Sequence, residues 1–411
     1  VAYLKQKERP VIDLNPFIEL DRLAKEDGKK YLHKRFIYEE IEADKGRHFI
    51  GIAGPRGAGK TILLKQIALS RKDTFYLSLD TFRGDLFKTV QAIGNNLNVK
   101  VFLLDEVHMC GGFEGEIKKI YDFLDVRIIF TSSMALAMYE SAYDLSRRVV
   151  LKTLYPFSLR EYVFFKHGRL IDRITIDDIV HKRWDRSVMD CGTFFADYIQ
   201  GGLMPFALQE MSPLALLANI LRTVIYKDIA WVSKTVMDEL DTIERMVSFI
   251  GKSGVDGINY SSLSKNLGIS KYKAEQFIGL LERAFILHRV LPKGTGVLKE
   301  PKIVMALPYR LLYRSCEDAI GGLREDFFVE AVKASGFDIH YLKSTRGEKT
   351  PDYVLNDEEP IVFEIGGKSK GRQQFKGFKS TRKIILSDSY ETEGIRRPLF
   401  LMGLVEKGKT G

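Results

Sequence analysis

His48-Phe49-Ile50-Gly51-Ile52-Ala53-Gly54-Pro55-Arg56-Gly57-Ala58-Gly59-Lys60-Thr61-Ile62-Leu63-Leu64 sets a glycine-rich turn between an apolar run and a segment with helical spacing. Residues 48–53 are expected as a strand and 55–60 as a turn. A helix is expected over 61–69, with apolar positions at 62, 63, 64, 67 and 69. Residues Gly54 to Thr61 match the full G-x-x-x-x-G-K-[ST] pattern in the strand-loop-helix context that gives it meaning. The physics is specific. Successive backbone N–H groups and a helix N-terminus converge on phosphates. Glycines permit close approach and left-handed dihedrals. Lys60 is placed to reach the β and γ phosphates, and the Thr61 hydroxyl to ligate Mg²⁺. ATP or ADP with Mg²⁺ is therefore the expected ligand, cradled by Gly54, Pro55, Arg56, Gly57, Ala58, Gly59, Lys60 and Thr61.

The expected partner of this loop is Val101-Phe102-Leu103-Leu104-Asp105-Glu106. An apolar strand delivers Asp105 to its end, where it would hold the metal through water. Glu106 would orient and deprotonate an attacking water. The next apolar run, 126–130, ends in Thr131-Ser132-Ser133, and Ser132 is the candidate sensor of the γ-phosphate or the lytic water. These hydroxyls would otherwise cap a following helix. Arg147 and Arg148 read as an arginine finger, in cis or across a subunit contact, or as ion-paired surface residues. His108 is either a nucleotide sensor or a surface histidine. Short strands near 48–53, 74–79, 99–104 and 126–130 alternate with helical stretches. That pattern means an α/β fold with a parallel, doubly wound sheet. Residues 1 to about 33 read as a polar arm, leading to a short helix at 36–42.

A chain of 411 residues is too long for one ordinary core. Its 45% hydrophobic and 28% charged residues fit a globular protein and exclude a disordered or fibrous one. Cys110, Cys191 and Cys316 are far apart and odd in number, which excludes a disulfide framework and a zinc cluster. No apolar run is long enough to span a bilayer, so no membrane is expected. Val1 to Pro10 carries Lys5, Lys7 and Arg9 and lacks an apolar signal core, so the cytoplasm is the expected location. The formal charge of +9 is compatible with a polyanionic partner, of which ATP is itself one.

The stretch Gly54–Thr61, Leu104-Asp105-Glu106, Phe130-Thr131-Ser132-Ser133 and Leu145-Ser146-Arg147-Arg148 resembles the archaeal and bacterial AAA+-like P-loop ATPases that carry a C-terminal DUF4143 region. The run Leu154-Tyr155-Pro156-Phe157-Ser158-Leu159-Arg160-Glu161-Tyr162 is its distinctive part. The resemblance implies an AAA+/ASCE-like core over 1–154, a helical lid over 155–240 and a winged helix over 241–299. Residues 300–411 would form the DUF4143, nuclease-like α/β domain. It also implies ATPase roles for Lys60, Thr61, Asp105 and Glu106, sensing by Ser132, and Arg147 or Arg148 as the arginine nearest the phosphate. Tyr198-Ile199-Gln200-Gly201-Gly202 with Pro205 resembles the lid segment of the same family.

In the expected winged helix, Ser270 is a candidate N-cap for a helix over 271–284. Lys271, Tyr272, Lys273, Gln276 and Arg283 lie on or beside that helix, while Ile269, Phe277, Leu280 and Leu281 mark it as a packing element too. It reads either as a DNA contact or as structure. In the last piece, Glu330 lies on a helix, Asp352 starts a strand and Glu364 sits within another. This resembles the PD-(D/E)xK, restriction-endonuclease-like fold, with Asp352 and Glu364 as a second metal site. Gly366 stands where that pattern has lysine, with Lys368 the nearest substitute and Gln373 on the following helix. An active nuclease, an inactive DNA or partner binder and a structural unit are all compatible with these residues. The basic run Lys368, Lys370, Arg372, Lys376, Lys379, Arg382 and Lys383 suits a phosphate backbone or a solvated face. Partners are therefore ATP, with DNA, a protein or a second copy of the chain as the open choices.

Overall fold

The computed structural model describes residues 13–134, 138, 145–234, 236–294, 300–342, 350–356, 359–367, 375 and 382–407. They fall into two compact units. The first runs up to Gly54 and resumes over Gly59–Leu154; the second holds Pro55–Ala58 and everything from Tyr155 onward.

The first unit is built on five parallel strands in the order β2-β3-β4-β1-β5. β1 is Phe49–Ala53, β2 Thr74–Ser78, β3 Val101–Asp105, β4 Arg127–Thr131 and β5 Val149–Thr153. Every position of β1 and β3 is buried, because helices cover both faces and a polar side chain there would lose its water. Ile50, Ile52, Phe102, Leu103, Leu104 and Ile128 make the centre of this core. Each such apolar side chain contributes about 1.5–3 kcal/mol by leaving water. β4 lies between β1 and β3, the strand order of an AAA+/ASCE-like sheet. That insertion brings the hydroxyl-rich end of β4 beside the acidic end of β3.

Residues 15–28, expected within a polar arm, form a helix, α1 (Asn15–Gly28). Its buried face is Asp21, Ala24 and Gly28, too small and polar to register as apolar periodicity. Gly28 is where the backbones meet: a Cβ there would lie 2.9 Å from the Lys65 carbonyl oxygen. Asp21 accepts the Tyr76 N–H at 2.8 Å and so ties α1 to β2.

The second unit begins with the helix Leu159–His167, started by a capping box between Ser158 and Glu161. Residues 155–240, expected as a helical lid, are less regular than their composition suggests. Two π-helical stretches, Tyr198–Gly202 and Val224–Ile229, interrupt them. After these stretches and the short helix Ala230–Ser233 come the helices Met237–Lys252, Tyr260–Leu267 and Lys271–Arg283. Ser270 caps the last through the Lys273 N–H. An antiparallel pair comes next, β6 (Leu287–Pro292) with β7 (Lys302–Met305). β6 also pairs in parallel with β8 (Asp338–Tyr341). The pair is thereby one edge of a seven-stranded sheet, β12-β11-β10-β9-β8-β6-β7. Its other strands are β9 (Tyr353–Asn356), β10 (Ile361–Gly366), β11 (Arg382–Ser387) and β12 (Arg396–Pro398). A long helix, Cys316–Ala334, packs on this sheet and starts earlier than its apolar pattern suggests, at the Ser315 cap.

Candidate nucleotide site

The chain leaves β1 at Ala53, turns through Gly54–Gly59 and enters the helix Lys60–Ser70. Gly57 and Gly59 sit at φ +79° and +90°, dihedrals that side-chain-bearing residues avoid. Gly54 is glycine for another reason: a Cβ there would stand 2.2 Å from the Leu154 carbonyl oxygen at the end of β5. The helix has no side-chain N-cap; the Gly59 carbonyl oxygen accepts the Leu63 N–H at 3.0 Å. Lys60 is only 6% exposed, and its ammonium donates to the Gly54 carbonyl oxygen at 2.8 Å. That bond holds the ammonium inside the loop.

β3 ends in the two acids. Asp105 is buried, accepting a hydroxyl hydrogen from Tyr76 at 2.8 Å on Oδ2 and one from Thr131 on Oδ1. Glu106 adopts a left-handed backbone, φ 57° and ψ 50°, a strained place for a side-chain-bearing residue. That turn swings its carboxylate toward β4, where Oε2 accepts the Ser133 N–H at 2.6 Å and lies 3.2 Å from His108 Nδ1. Burial pushes the Glu106 carboxyl up, but His108, the Ser133 amide and the field of the Lys60 ammonium outweigh it and hold it at about 2. The loop lysine and Glu106 thus share one electrostatic neighbourhood in the first unit.

Ser132 is fully buried, with its hydroxyl 2.9 Å from His108 Nδ1 and accepting the Met134 N–H at 3.0 Å. His108 is buried as well, not at the surface. Arg148 makes a two-pronged pair with Asp122, at 3.0 and 2.8 Å, and Arg147 is exposed beside it. Asp80, just past β2, is a third acid that sequence reasoning passed over. Burial and the nearby Glu106 and Asp105 charges raise its carboxyl. The only signal for it is an acid following an apolar run at the edge of the same sheet.

The loop tip, Pro55–Ala58, groups with the second unit. There Arg56 forms a fork-to-fork pair with Asp228, at 2.8 and 2.7 Å, within the π-helical stretch Val224–Ile229. Gly57 faces the Phe206 ring, which a Cβ would meet at 2.7 Å.

The lysines on the helix Lys271–Arg283 are engaged within the chain: Lys271 pairs with Glu300, and Lys273 with Glu239 at 2.6 Å. Farther on, Asp352 and Glu364 do meet across the sheet. Asp352 precedes β9, and β9 pairs antiparallel with β10, which carries Glu364. The helix acid beside Asp352 is Glu325, not Glu330. Glu330 instead accepts the Leu307 N–H at 2.7 Å and lies 3.5 Å from His288. Burial, together with the Glu325 and Glu364 charges, raises the Asp352 carboxyl to about 7. Lys302 on β7 pairs with Glu325 at 2.6 Å, a lysine that the sequence pattern did not offer. Lys368, Lys370, Arg372, Gln373, Lys376 and Lys379 lie outside the described residues. Among the described residues, no group of three or more His, Cys, Asp or Glu can hold a metal, and no helix is long and apolar enough to cross a membrane.

Residues 46–163 match a family model described as an AAA domain, and residues 193–306 one described as a domain of unknown function, DUF8612. The chain therefore carries an AAA+-type P-loop NTPase domain followed by a distinct domain of unknown function. This corrects the expected DUF4143 region. The distinctive run Leu154–Tyr162 falls inside the AAA match, so it spoke for that domain and not for the region C-terminal to it. An uncharacterized protein of Methanocaldococcus jannaschii is 27% identical over 414 residues, covering 88% of this chain and 86% of its own length. Among solved structures, the Aeropyrum pernix ORC1 protein in complex with DNA is 12% identical, with a TM-score of 0.32 over 80% of this chain and 97% of that one. The Thermotoga maritima RuvB Holliday junction branch migration motor is 14% identical, with a TM-score of 0.26 over 68% of this chain and 90% of that one.

Proposed function

We propose that the chain binds ATP with Mg²⁺ and hydrolyses it, and that the Arg56–Asp228 pair reports the state of the phosphate loop to the helical part of the second unit. The observation that supports this reading is the field of the Lys60 ammonium at Glu106, with that ammonium held at the Gly54 carbonyl oxygen in a loop of the G-x-x-x-x-G-K-[ST] pattern. Thr61 and Asp105 offer the hard oxygen donors that suit Mg²⁺, an ion held by one or two protein oxygens together with phosphates and water. An all-protein metal cage is not required. The ion, when bound, neutralises charge developing on the transferred phosphoryl group. The protein's own part is positional. Loop amides and Lys60 fix the phosphates. Tyr76 and Thr131 orient Asp105. Glu106 orients the attacking water and takes up its proton.

Glu106→Gln tests the assignment. The variant retains ATP and loses turnover; a rate equal to wild type refutes the role of Glu106. The charge of +9 over the whole chain favours a polyanionic partner. ATP turnover that rises with duplex DNA supports a nucleic-acid partner. Turnover indifferent to DNA supports a protein scaffold instead.

A further inference from the structure

Glu106 Oε2 is engaged twice, by the Ser133 N–H at 2.6 Å and by His108 Nδ1 at 3.2 Å. A carboxylate has only lone pairs to offer, so the His108 nitrogen facing it carries the hydrogen. The same Nδ1 lies 2.9 Å from Ser132 Oγ. The Ser132 hydroxyl hydrogen is in turn placed to go to the Met134 carbonyl oxygen at 3.2 Å, which leaves Oγ accepting from Nδ1. One hydrogen is therefore shared between Glu106 and Ser132. The histidine that bears it is only 8% exposed, so water does not compete well for that hydrogen. Both donors address a single carboxylate oxygen, which fixes the group by that edge. The left-handed backbone at Glu106 leaves the side chain dependent on these bonds for its direction.

We infer that His108 is a positioning residue for ATP hydrolysis: it holds the Glu106 carboxylate in register with the end of β4, so that the effect of Ser132 on turnover runs through the imidazole. This deepens the ATPase reading and rests on it. The groups that His108 meets are Glu106 and Ser132. It sets the direction in which Glu106 meets the attacking water.

The test is steady-state ATP hydrolysis by the full chain, with ATP affinity and thermal midpoint measured on the same preparations. His108→Ala lowers kcat by about 10–100-fold, the effect of misplacing a general base, while KM and ATP affinity stay within about twofold. His108→Asn, whose amide N–H stands near the Nδ1 position, recovers most of the rate. Ser132→Ala loses less than His108→Ala and adds nothing to it in the double variant. An unchanged kcat in His108→Ala overturns the inference. So does a parallel fall of kcat, ATP affinity and thermal midpoint without rescue by His108→Asn, which marks a merely structural histidine. Glu106→Gln separates the two levels. If it leaves turnover intact, the ATPase reading fails with its dependent inference. If it abolishes turnover while His108→Ala does not alter it, only the inference fails.

Discussion

Replacing Arg56 with methionine strands the Asp228 carboxylate, and the magnitude follows from exposure. The Asp228 side chain is 5% exposed and that of Arg56 is 23%. Removing the guanidinium leaves an uncompensated charge almost wholly out of water, which costs about 3–5 kcal/mol. Asp228→Leu is milder. It removes two charge-assisted hydrogen bonds, but the remaining guanidinium is exposed enough to be partly hydrated, so the cost is about 1.5–3 kcal/mol. The double variant replaces the pair by apolar groups of comparable bulk and lies near wild type, within about 1.5 kcal/mol. The double variant therefore costs less than the two singles summed, by several kcal/mol of coupling. Both tryptophans, Trp184 and Trp231, belong to the second unit, so their fluorescence in urea follows that unit specifically. Two singles that simply add in the double variant refute a direct pair. Equal costs for the two singles refute the exposure reasoning.

Gly54→Ala places a Cβ 2.2 Å from the Leu154 carbonyl oxygen, and backbone cannot step aside cheaply. Hydrogen exchange of β1 is expected to speed up, with a loss of about 3 kcal/mol or more in the first unit. Gly59→Ala has nothing within 4 Å and only its φ of +90° to overcome, so it lowers ATP affinity with a smaller loss of stability. Asp352 gives a pH dependence. Its folded-state carboxyl is raised to about 7 from an ordinary 3.8, so the folded chain holds a proton through that window that the unfolded chain releases. Stability from this group is present below the lower value, falls as pH rises through the window, and is flat above it. Asp352→Asn is therefore more stable than wild type at pH 8 and nearly equal to it at pH 4, read from the tryptophan-monitored urea midpoint.

The first unit was legible because its strands are unbroken apolar runs. Phe49–Ala53 and Val101–Asp105 are buried on both faces, and the loop after one and the acids after the other carry their own chemistry. The order of strands came only with the resemblance to AAA+/ASCE-like proteins, not from the apolar pattern. Nothing in the run 126–130 says that it inserts between the other two and so delivers Thr131 to Asp105 and Ser133 to Glu106. α1 was missed because its contact face is built on close approach at Gly28 and not on large apolar side chains. In the second unit, helical phase was the obstacle. Glu325 and Glu330 are five residues apart, about 140° around the helix, so they address different neighbours, and only the packed sheet says which one meets Asp352. The π-helical stretch around Asp228 likewise has no sequence pattern of its own, and the partner of Arg56 lies far from it along the chain.

In the proposed ATPase the Lys60 ammonium and the loop amides receive a triphosphate. Calorimetric titration with ATP and Mg²⁺, on wild type and Lys60→Ala, tests this most directly. Saturable binding by wild type that weakens by about 100-fold or more in the variant is the expected result, since a buried charge-assisted contact to two phosphates is lost. Equal affinity in the two proteins, or no binding by wild type, contradicts it.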